Sequence, residues 1–509
     1  MRPLTNDCAR WILGRILLFW GGASTLITRL RVARHYRRCG ALQESLGITP
    51  ETPILTHGPE LQAHIEAAAQ DGCQWAQTSG SSGTPKRIPY PKRRITALRL
   101  SFMAAFVRCF WALKVKRTVF YAFANDNSDN SLTSLLSSER DKLPAAAVLQ
   151  APYRTHSLPA IRALEERYSR DAIRLWIITL ANPGVLYATN PSTIALFLER
   201  LDSDWEGVTA LVRDYTYRPD SIEKGALRIG LRLKSRGADQ RLQSLASSDK
   251  PMSILEAAPA ISHYFCWDGG YVKPYLERLH KLLPADRVTH CPMYSISTES
   301  VETLPLFVGG EVAFLPIASE VLPEYLDHDG QLFPRDKLVS GMEVTLVVSD
   351  PWGLKRYNTE DLFLVKRLIK GVPDLRFLRR VGLTYSFTGE KLTADHARRA
   401  IAELIETRPE CSDVTWLTLV PEASPKPHYK LLFANNGTIL PPDDAARLVD
   451  ESLCTQNEEY AAKRASGRLG AVVTSVMPFD EAVVKVGGQP PGSSWEGQFK
   501  FLPLSVTSG

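Results

Sequence analysis

Cysteine is scarce in this sequence, and its placement excludes two classes of protein. The eight cysteines among 509 residues are scattered, with no CxxC pair and no cluster of cysteine and histidine. This spacing argues against a structural zinc site and against a secreted protein held by disulfides. Reduced thiols indicate a cytoplasmic protein.

The chain also lacks an uninterrupted apolar run long enough to cross a membrane. Residues 11–29, WILGRILLFWGGASTLITR, come closest, but only 13 residues separate Arg15 from Arg29, and a spanning helix needs about 20. No small-residue cleavage site follows, so secretion is not expected. We predict an amphipathic helix on the domain's own surface. A weak peripheral contact of residues 9–38 with anionic lipid stays open, because arginines beside Trp, Phe and Leu suit that interface.

Charge of one sign is not in large excess. The formal net charge of +6 is small for this length, and no module of interleaved aromatic and basic residues occurs, so a nucleic-acid partner is not expected. Hydrophobic residues make up 44% and charged residues 23%, which is typical of globular proteins. The basic run Lys92–Arg94 is interpreted as a solvated face, with steering of anions as the alternative.

What the chain does contain is an alternation of helical and strand patterns, without repeats or low-complexity blocks, which predicts an α/β protein. Helices are predicted over 95–114, 191–201 and 444–466, and strands over 117–124, 173–180, 343–349, 362–368 and 429–434. The pattern breaks near 380–390, where we place the main domain boundary.

One stretch before the helix predicted over 95–114 stands out, TSGSSGTPK (residues 78–86). Two glycines permit close backbone approach, so that successive N–H groups can form a concave nest for phosphate oxygens. The hydroxyls add donors and Lys86 adds a positive charge for the outer phosphates. The spacing differs from GxxxxGK[ST]. We predict a phosphate-binding loop formed by Thr78, Ser79, Gly80, Ser81, Ser82, Gly83 and Lys86.

This loop resembles that of the adenylate-forming superfamily, which includes acyl-CoA synthetases and luciferases. Other stretches, in order over more than 400 residues, resemble one branch, the Gretchen Hagen family of acyl acid amido synthetases. They are PILTHGPELQAHIEAAA (53–69), YATNPSTIALFLERLDSDWEGV (187–208), FCWDGGYVKPYLERL (265–279), FTGEKLT (387–393), PHYKLLF (427–433) and NEEYAAKR (457–464). The resemblance implies the α/β adenylate-forming fold. It divides the chain into an N-terminal helical segment (1–52) within the large domain, a large ATP- and acyl-binding domain of sheets flanked by helices with a β-barrel subdomain (53–382), and a small α+β C-terminal lid (383–509).

Three further motifs assign nucleotide-binding residues by resemblance. YSISTES (294–300) is similar to the second nucleotide motif, which implies that Tyr294 lies against adenine and that Thr298 and Glu299 bind the nucleotide, with Glu299 holding Mg²⁺. KRYNTED (355–361) resembles the third, whose carboxylate, here Asp361, accepts hydrogen bonds from the ribose diol. RFLRRVG (376–382) resembles the hinge, with Arg380 as ribose contact and Arg379 as the alternative.

The resemblance also implies the reaction. EGQFKFLPL (496–504) looks like the C-terminal lysine segment, so Lys500, with Lys86, is the candidate catalytic cation. The expected enzyme is a ligase that uses ATP and Mg²⁺ to adenylate a carboxylic acid and then passes the acyl group to an amine or amino acid. Tyr264, Phe265 and Trp267 are candidate walls for the acid, with plain core as the alternative. A thioester-forming ligase and a catalytically silent scaffold remain alternative functions.

Overall fold

The computed structural model describes residues 6–56, 58–69, 73–77, 87–123, 152–269, 272–293, 297, 299–381, 384–387, 390–435, 439–486 and 501–505. These residues form two compact units. The first comprises the described chain up to Thr359 together with Phe363–Phe377, and the second comprises Glu360–Leu362 and the described chain from Leu378 onwards. The domain limits derived from the sequence stay predictions.

Helices form the larger part of the first unit. They are α1 (Asn6–Ala33), α2 (His35–Ser45), α3 (Pro59–Ala67), α4 (Lys92–Ala112), α5 (Pro159–Arg162), α6 (Arg170–Ala181), α7 (Pro191–Ser203), α8 (Trp205–Tyr217), α9 (Lys224–Leu233), α10 (Ala238–Ser247), α11 (Ile254–Ala257) and α12 (Lys273–Leu282). The predicted helix at 191–201 is confirmed as α7, and Asn190 caps it by accepting from the Ser192 N–H at 3.0 Å. The predicted helix at 95–114 is confirmed as α4.

The strands of the first unit form a hairpin, a parallel sheet and further antiparallel pairs. They are β1 (Gln74–Gln77), β2 (Arg87–Tyr90), β3 (Phe120–Ala122), β4 (Val185–Tyr187), β5 (His263–Cys266), β6 (Thr289–Pro292), β7 (Leu304–Val308), β8 (Glu311–Leu315), β9 (Leu322–Leu326), β10 (Leu332–Phe333), β11 (Glu343–Ser349), β12 (Tyr357–Ile369) and β13 (Val372–Arg380). Strands β3, β4, β5 and β6 lie in that order and run parallel, whereas β10-β9-β11-β12-β13 form a five-stranded sheet.

The second unit combines a three-stranded sheet with helices. Its elements are β14 (Thr384–Tyr385), β15 (Leu392–Thr393), α13 (Ala394–Thr407), β16 (Trp416–Glu422), β17 (His428–Ala434), α14 (Ala445–Gln456), α15 (Glu458–Ala465), β18 (Val473–Met477) and α16 (Phe479–Lys485). The sheet has the order β16-β17-β18, antiparallel and then parallel. The single helix predicted over 444–466 is wrong. Asn457 leaves helical geometry and its side chain caps α15 by accepting from the Tyr460 N–H at 2.9 Å.

The predicted strand at 173–180 is also wrong, because these residues form helix α6. Every residue from Asp171 to Ala181 is buried, and after Asp171 only Arg174 and Thr179 interrupt the apolar run, so the sequence shows no exposed polar side. A short run of this kind fits a buried strand and a buried helix equally well. The signals that decide are at the ends: Ser169 accepts from the Ala172 N–H at 3.1 Å, and Asn182 closes the helix in the left-handed conformation.

Candidate active site

The residues that flank the predicted phosphate loop lie side by side. Strands β1 and β2 form an antiparallel pair in which Gln77, before the loop, pairs with Arg87, after it. The Arg87 guanidinium lies 4.8 Å from the centroid of the Trp75 ring, which strengthens the base of the hairpin. The predicted loop residues themselves lie outside the described residues, as do Tyr294, Thr298 and Lys500.

A buried arginine next to this hairpin joins several candidate segments. The Arg94 side chain, only 4% exposed, forms an ion pair with Asp350 at 3.1 Å. It also donates hydrogen bonds to the backbone carbonyls of Pro89 and Glu299. The rings of Tyr90 and Trp352 lie against its guanidinium, at 4.5 and 5.1 Å. Arg94 therefore joins β2 and α4 to the segment that carries Glu299.

This arrangement corrects the interpretation of Lys92–Arg94 as one solvated face. Lys92 is exposed and the Arg93 side chain is 84% exposed, but Arg94 points inward. Residue 94 lies in the first turn of α4, where the helix turns its side chain back toward β2. The motifs named from the sequence include neither Arg94 nor its partner Asp350. One sequence signal could have identified Arg94: it lies on the same side of the helix as the apolar residues Ile95 and Leu98.

Glu299 is buried, and its carboxylate accepts a hydrogen bond from the Tyr357 hydroxyl at 3.4 Å. The second and third nucleotide motifs predicted from the sequence therefore meet at this contact. Arg356, which precedes Tyr357, anchors the third motif with a bidentate ion pair to Glu324 at 3.0 and 3.1 Å. A single carboxylate beside a hydroxyl fits a Mg²⁺ ion that takes its remaining ligands from water and phosphates. In the described part of the chain no group of three or more His, Cys, Asp or Glu forms a metal cluster.

Asp361, the predicted ribose ligand, lies in β12 within the second unit and is half-buried. The preceding residue, Glu360, has a left-handed backbone with φ of 59°, and its carbonyl accepts from the Val381 N–H at 2.6 Å. This bond places the third motif beside the predicted hinge. Arg380 ends β13 at that point, although its side chain lies outside the described residues. The roles of Asp361 and Arg380 stay predictions.

The carboxyl ends of the parallel strands β5 and β6 lie next to each other, and each precedes a candidate segment in the sequence. The Met293 N–H donates to the Cys266 carbonyl at 2.9 Å, so the residues that follow β5 and β6 leave the same edge. Trp267 begins one segment, and Tyr294, outside the described residues, begins the other. In sheets of this kind, ligands bind at the carboxyl edge.

The three candidate acyl-binding residues differ in their surroundings. Tyr264 and Phe265 are buried; Tyr264 stacks on His290 at 4.9 Å between ring centroids, and Phe265 packs against Phe106 and Phe110 in the core. Trp267 instead lines a cleft of about 100 Å³. The other lining residues are Asp268, Gly269, Phe314, Leu375, Arg376 and Phe377. Burial raises the pKa of the Asp268 carboxyl. That Tyr264, Phe265 and Trp267 form the walls of the acid-binding site stays a prediction.

In the second unit, three stretches singled out by the resemblance meet at one buried residue, Glu390. Glu390, from FTGEKLT, accepts hydrogen bonds from the Tyr429 hydroxyl at 2.7 Å and from the Phe387 N–H at 2.8 Å. The Asn457 side chain donates to the Glu390 carbonyl at 2.8 Å. Tyr429 belongs to PHYKLLF and Asn457 to NEEYAAKR. These stretches therefore form the interior of the unit around Glu390.

Comparison with known proteins gives matches of family and of fold. Residues 71–288 match the GH3 family N-terminal domain. A solved GH3.15 acyl acid amido synthetase has a TM-score of 0.67 and 16% identity, covering 92% of this chain and 87% of that chain. A second, AtGH3.15 acyl acid amido synthetase in complex with 2,4-DB, has a TM-score of 0.67 and 15% identity, covering 100% and 95%. No curated protein sequence gives a match. The predicted α/β fold is confirmed, and it is the fold of these two solved structures.

Proposed function

From the premise that residues 71–288 form a GH3 family N-terminal domain, we propose that this protein is an ATP-dependent acyl-acid amide ligase. That match is the observation that carries the proposal, because it includes the phosphate-loop hairpin, the carboxyl edge of the parallel sheet and Trp267. The fold shared with a solved acyl acid amido synthetase over the whole chain supports it. Its partners are a small carboxylic acid and an amine, with an amino acid as the preferred class. A cytoplasmic location is part of the same proposal.

The proposed reaction has two steps. A carboxylate oxygen of the acid attacks the α-phosphorus of ATP, and the bond to the bridging oxygen breaks, so that pyrophosphate leaves and an acyl-adenylate forms. The amine nitrogen then attacks the acyl carbon, loses a proton and expels AMP with the electron pair of the broken carbon–oxygen bond. No side-chain nucleophile takes part. The chain's contribution is to position the reactants, stabilise negative charge and exclude water.

Each candidate residue has a separate part in this chemistry. Lys86 and Lys500 would stabilise the phosphate charge that repels an anionic nucleophile, a contribution of several kcal/mol. Glu299 would hold Mg²⁺, which when bound shields the phosphates, and the Tyr357 hydroxyl orients that carboxylate. Asp361 would accept hydrogen bonds from the ribose, with Arg380 from the hinge beside it. The loop of Thr78–Gly83 and the residues Tyr294 and Thr298 would bind phosphate and adenine.

The cleft at Trp267 supports an acid with an apolar or aromatic body. The Trp267 and Phe377 rings lie with centroids 5.1 Å apart, and Phe314 and Leu375 add apolar surface to a lining that also includes Asp268 and Arg376. The adjoining Arg376 guanidinium pairs with Asp374 and lies 4.9 Å from the Phe314 ring. 2,4-DB, present in one solved relative, is therefore the first acid to test.

The test is pyrophosphate release with ATP and Mg²⁺ across a panel of carboxylic acids that includes 2,4-DB. We expect release with at least one acid, and amide formation only when an amino acid is added. Amide formation that requires coenzyme A instead would identify a thioester-forming ligase. Failure of every acid, together with failure to bind ATP, would identify a catalytically silent scaffold.

Lysine variants test the assignment of the catalytic cations. We expect Lys500→Ala to slow pyrophosphate release by on the order of a hundredfold, because the charge that it supplies is needed in the transition state. Lys86→Ala is expected to slow the same step. Lys92→Ala, which removes an exposed lysine at the start of α4, serves as the matched control and should change the rate little.

A further inference from the structure

Helix α1 packs against its own domain through small and polar residues. Its buried side carries Gly14, Gly21, Thr25, Thr28 and Val32, spaced seven, four, three and four residues apart. A Cβ atom at Gly21 would lie 2.2 Å from the Val107 carbonyl oxygen of α4, so the two helices touch along their backbones. The Thr25 and Thr28 hydroxyls donate to carbonyls within the helix, each at 2.8 Å. Small-residue packing of this kind is typical of helices in a lipid environment.

The opposite side of α1 is apolar and exposed. Phe19 is 73% exposed and Leu26 is 62% exposed, and the members of the same stripe are four, three, seven, one and three residues apart. We call this the outer face of α1; it consists of Ile12, Ile16, Phe19, Leu26, Ile27 and Leu30. A surface helix of a water-soluble domain has the reverse arrangement, with its apolar stripe against the core. The predicted helix on the domain's own surface is confirmed as α1, and the structure adds that its apolar side faces outward.

Tryptophans border this outer face. Trp11 and Trp20 are exposed on α1, and Trp111 of α4 is exposed where it lies against Gly22. Leu100 and Met103 extend the exposed apolar surface along α4. Both α1 and α4 are long and apolar enough to cross a membrane by length and composition. Tryptophan beside aliphatic side chains is the composition of surfaces that sit at the boundary of a bilayer.

The exposed charges between residues 8 and 43 are all positive. This stretch contains seven arginines, of which Arg10 is buried, and no aspartate or glutamate. Arg15 lies against the Trp11 ring at 5.3 Å, at the edge of the outer face, while Arg29, Arg31, Arg34 and Arg37 cluster near the end of α1 and the start of α2. Such a distribution is complementary to anionic phospholipid headgroups. The same distribution disfavours dimerisation through this face, because a second copy would bring more arginines and no acidic partners for them.

We propose that the outer face of α1 docks the protein on anionic phospholipid membranes, with the helix lying in the plane of the interface. The helix is about 42 Å long, and its inner side stays packed on α4, so only the outer face is free to enter the lipid boundary. Phe19, Leu26 and their neighbours supply the buried apolar area, and the arginines select anionic lipid. This proposal does not depend on the ligase reaction.

Vesicle flotation tests the proposal with the full-length protein. We expect the protein to float with vesicles of phosphatidylcholine and phosphatidylserine, to float much less with phosphatidylcholine alone, and to be released by alkaline carbonate. The double variant Phe19→Ser/Leu26→Ser should bind anionic vesicles at least about tenfold more weakly, because two exposed side chains no longer enter the bilayer. Arg15→Gln/Arg29→Gln should reduce the preference for phosphatidylserine.

Leu440→Ser is the matched control, because Leu440 is 75% exposed and far from α1 in sequence. It should bind vesicles as the unchanged protein does, and the thermal unfolding of the double variant should also be unchanged, since its two side chains make no core contacts. Equal flotation of the double variant, or no flotation of the unchanged protein, would overturn the proposal. So would retention after carbonate, or a dimer seen by light scattering that the double variant converts to a monomer.

Discussion

At the scale of single residues, the contacts of Arg94 show how a buried charge organises the candidate site. The guanidinium has lost nearly all contact with water, and this cost is offset by the Asp350 carboxylate, two backbone carbonyls and two aromatic rings. Burial raises the pKa of Asp350 even beside this cation. Removing the arginine would leave a carboxylate buried without its counter-ion.

We therefore expect Arg94→Met to lower the free energy of unfolding by about 3 kcal/mol, measured by urea denaturation. Arg93→Met, on the exposed neighbour, should change it by no more than about 0.5 kcal/mol. The double variant Arg94→Met/Asp350→Asn should recover much of the loss, because the uncompensated charge is removed while an acceptor for the Trp352 N–H remains. Equal effects of the two single variants would show that the buried pair is not what stabilises this region.

The Tyr357 hydroxyl offers a second test at this scale, since it orients the Glu299 carboxylate. We expect Tyr357→Phe to raise the KM for Mg·ATP several-fold while changing the free energy of unfolding by only about 1 kcal/mol. Tyr325→Phe is the control, because Tyr325 is equally buried and its hydroxyl has no hydrogen-bond partner among the described residues. An unchanged KM in Tyr357→Phe would remove Glu299 from the nucleotide site.

At the scale of elements, the pair α1 and α4 depends on a glycine that sequence patterning treats as a helix breaker. Gly21 is in the middle of a 28-residue helix, where alanine would be the better helix former. The closeness of the Val107 carbonyl and the Trp111 Cβ, 2.2 and 2.7 Å from where a Cβ would lie, makes glycine necessary.

We expect Gly21→Ala to lower the free energy of unfolding by about 1–3 kcal/mol, because the two helices would be forced apart. The same substitution at Gly40, inside α2, meets no atom within 4 Å and should raise it by up to about 1 kcal/mol. Chemical denaturation measures the change in the free energy of unfolding of each variant, which we expect to be negative for Gly21→Ala and positive for Gly40→Ala. Stabilisation by both substitutions would contradict the close packing of α1 on α4.

Prediction of elements from the sequence succeeded for β11 and α7 and failed for α6 and for the break at Asn457. Strand β11 matches the predicted 343–349 at both ends, and α7 shows a helical period preceded by clear capping signals. Helix α6 is buried on all sides, so its residues show no polar face from which a period could be read. The sequence does not predict the break at Asn457, because Glu458 and Glu459, which open α15, are also compatible with the middle of one longer helix.

At the scale of the whole molecule, stability is expected to fall in mild acid. Burial lowers the pKa of His35 to about 4, of His156 to about 3 and of His290 to about 4. The ordinary value is about 6.5, so the unfolded chain binds more protons than the folded chain between these values. The stabilisation is fully present above pH of about 6.5 and is lost progressively as the pH falls towards 4, by up to about 1.4 kcal/mol per pH unit for each group.

We expect thermal unfolding midpoints to drop between pH 7.5 and 4.5, and His35→Gln to reduce the slope of that drop. His35 is the clearest test because it is almost completely buried in α2. His328→Gln, which changes an exposed histidine, should leave the slope unchanged. A slope that is the same in all three proteins would show that protonation of His35 is not coupled to unfolding.

The sequence by itself determined the α/β class, the order of the motifs and the family resemblance, because these depend on residue types along the chain. Only the tertiary structure decided that Arg94 is buried, that Glu299 meets Tyr357, that three C-terminal motifs converge on Glu390 and that α1 turns its apolar side outward. The reason is physical: periodicity shows that a helix has two unlike sides, but which side faces the protein is set by what packs against it. For α1 that is the backbone of α4, which admits only small residues.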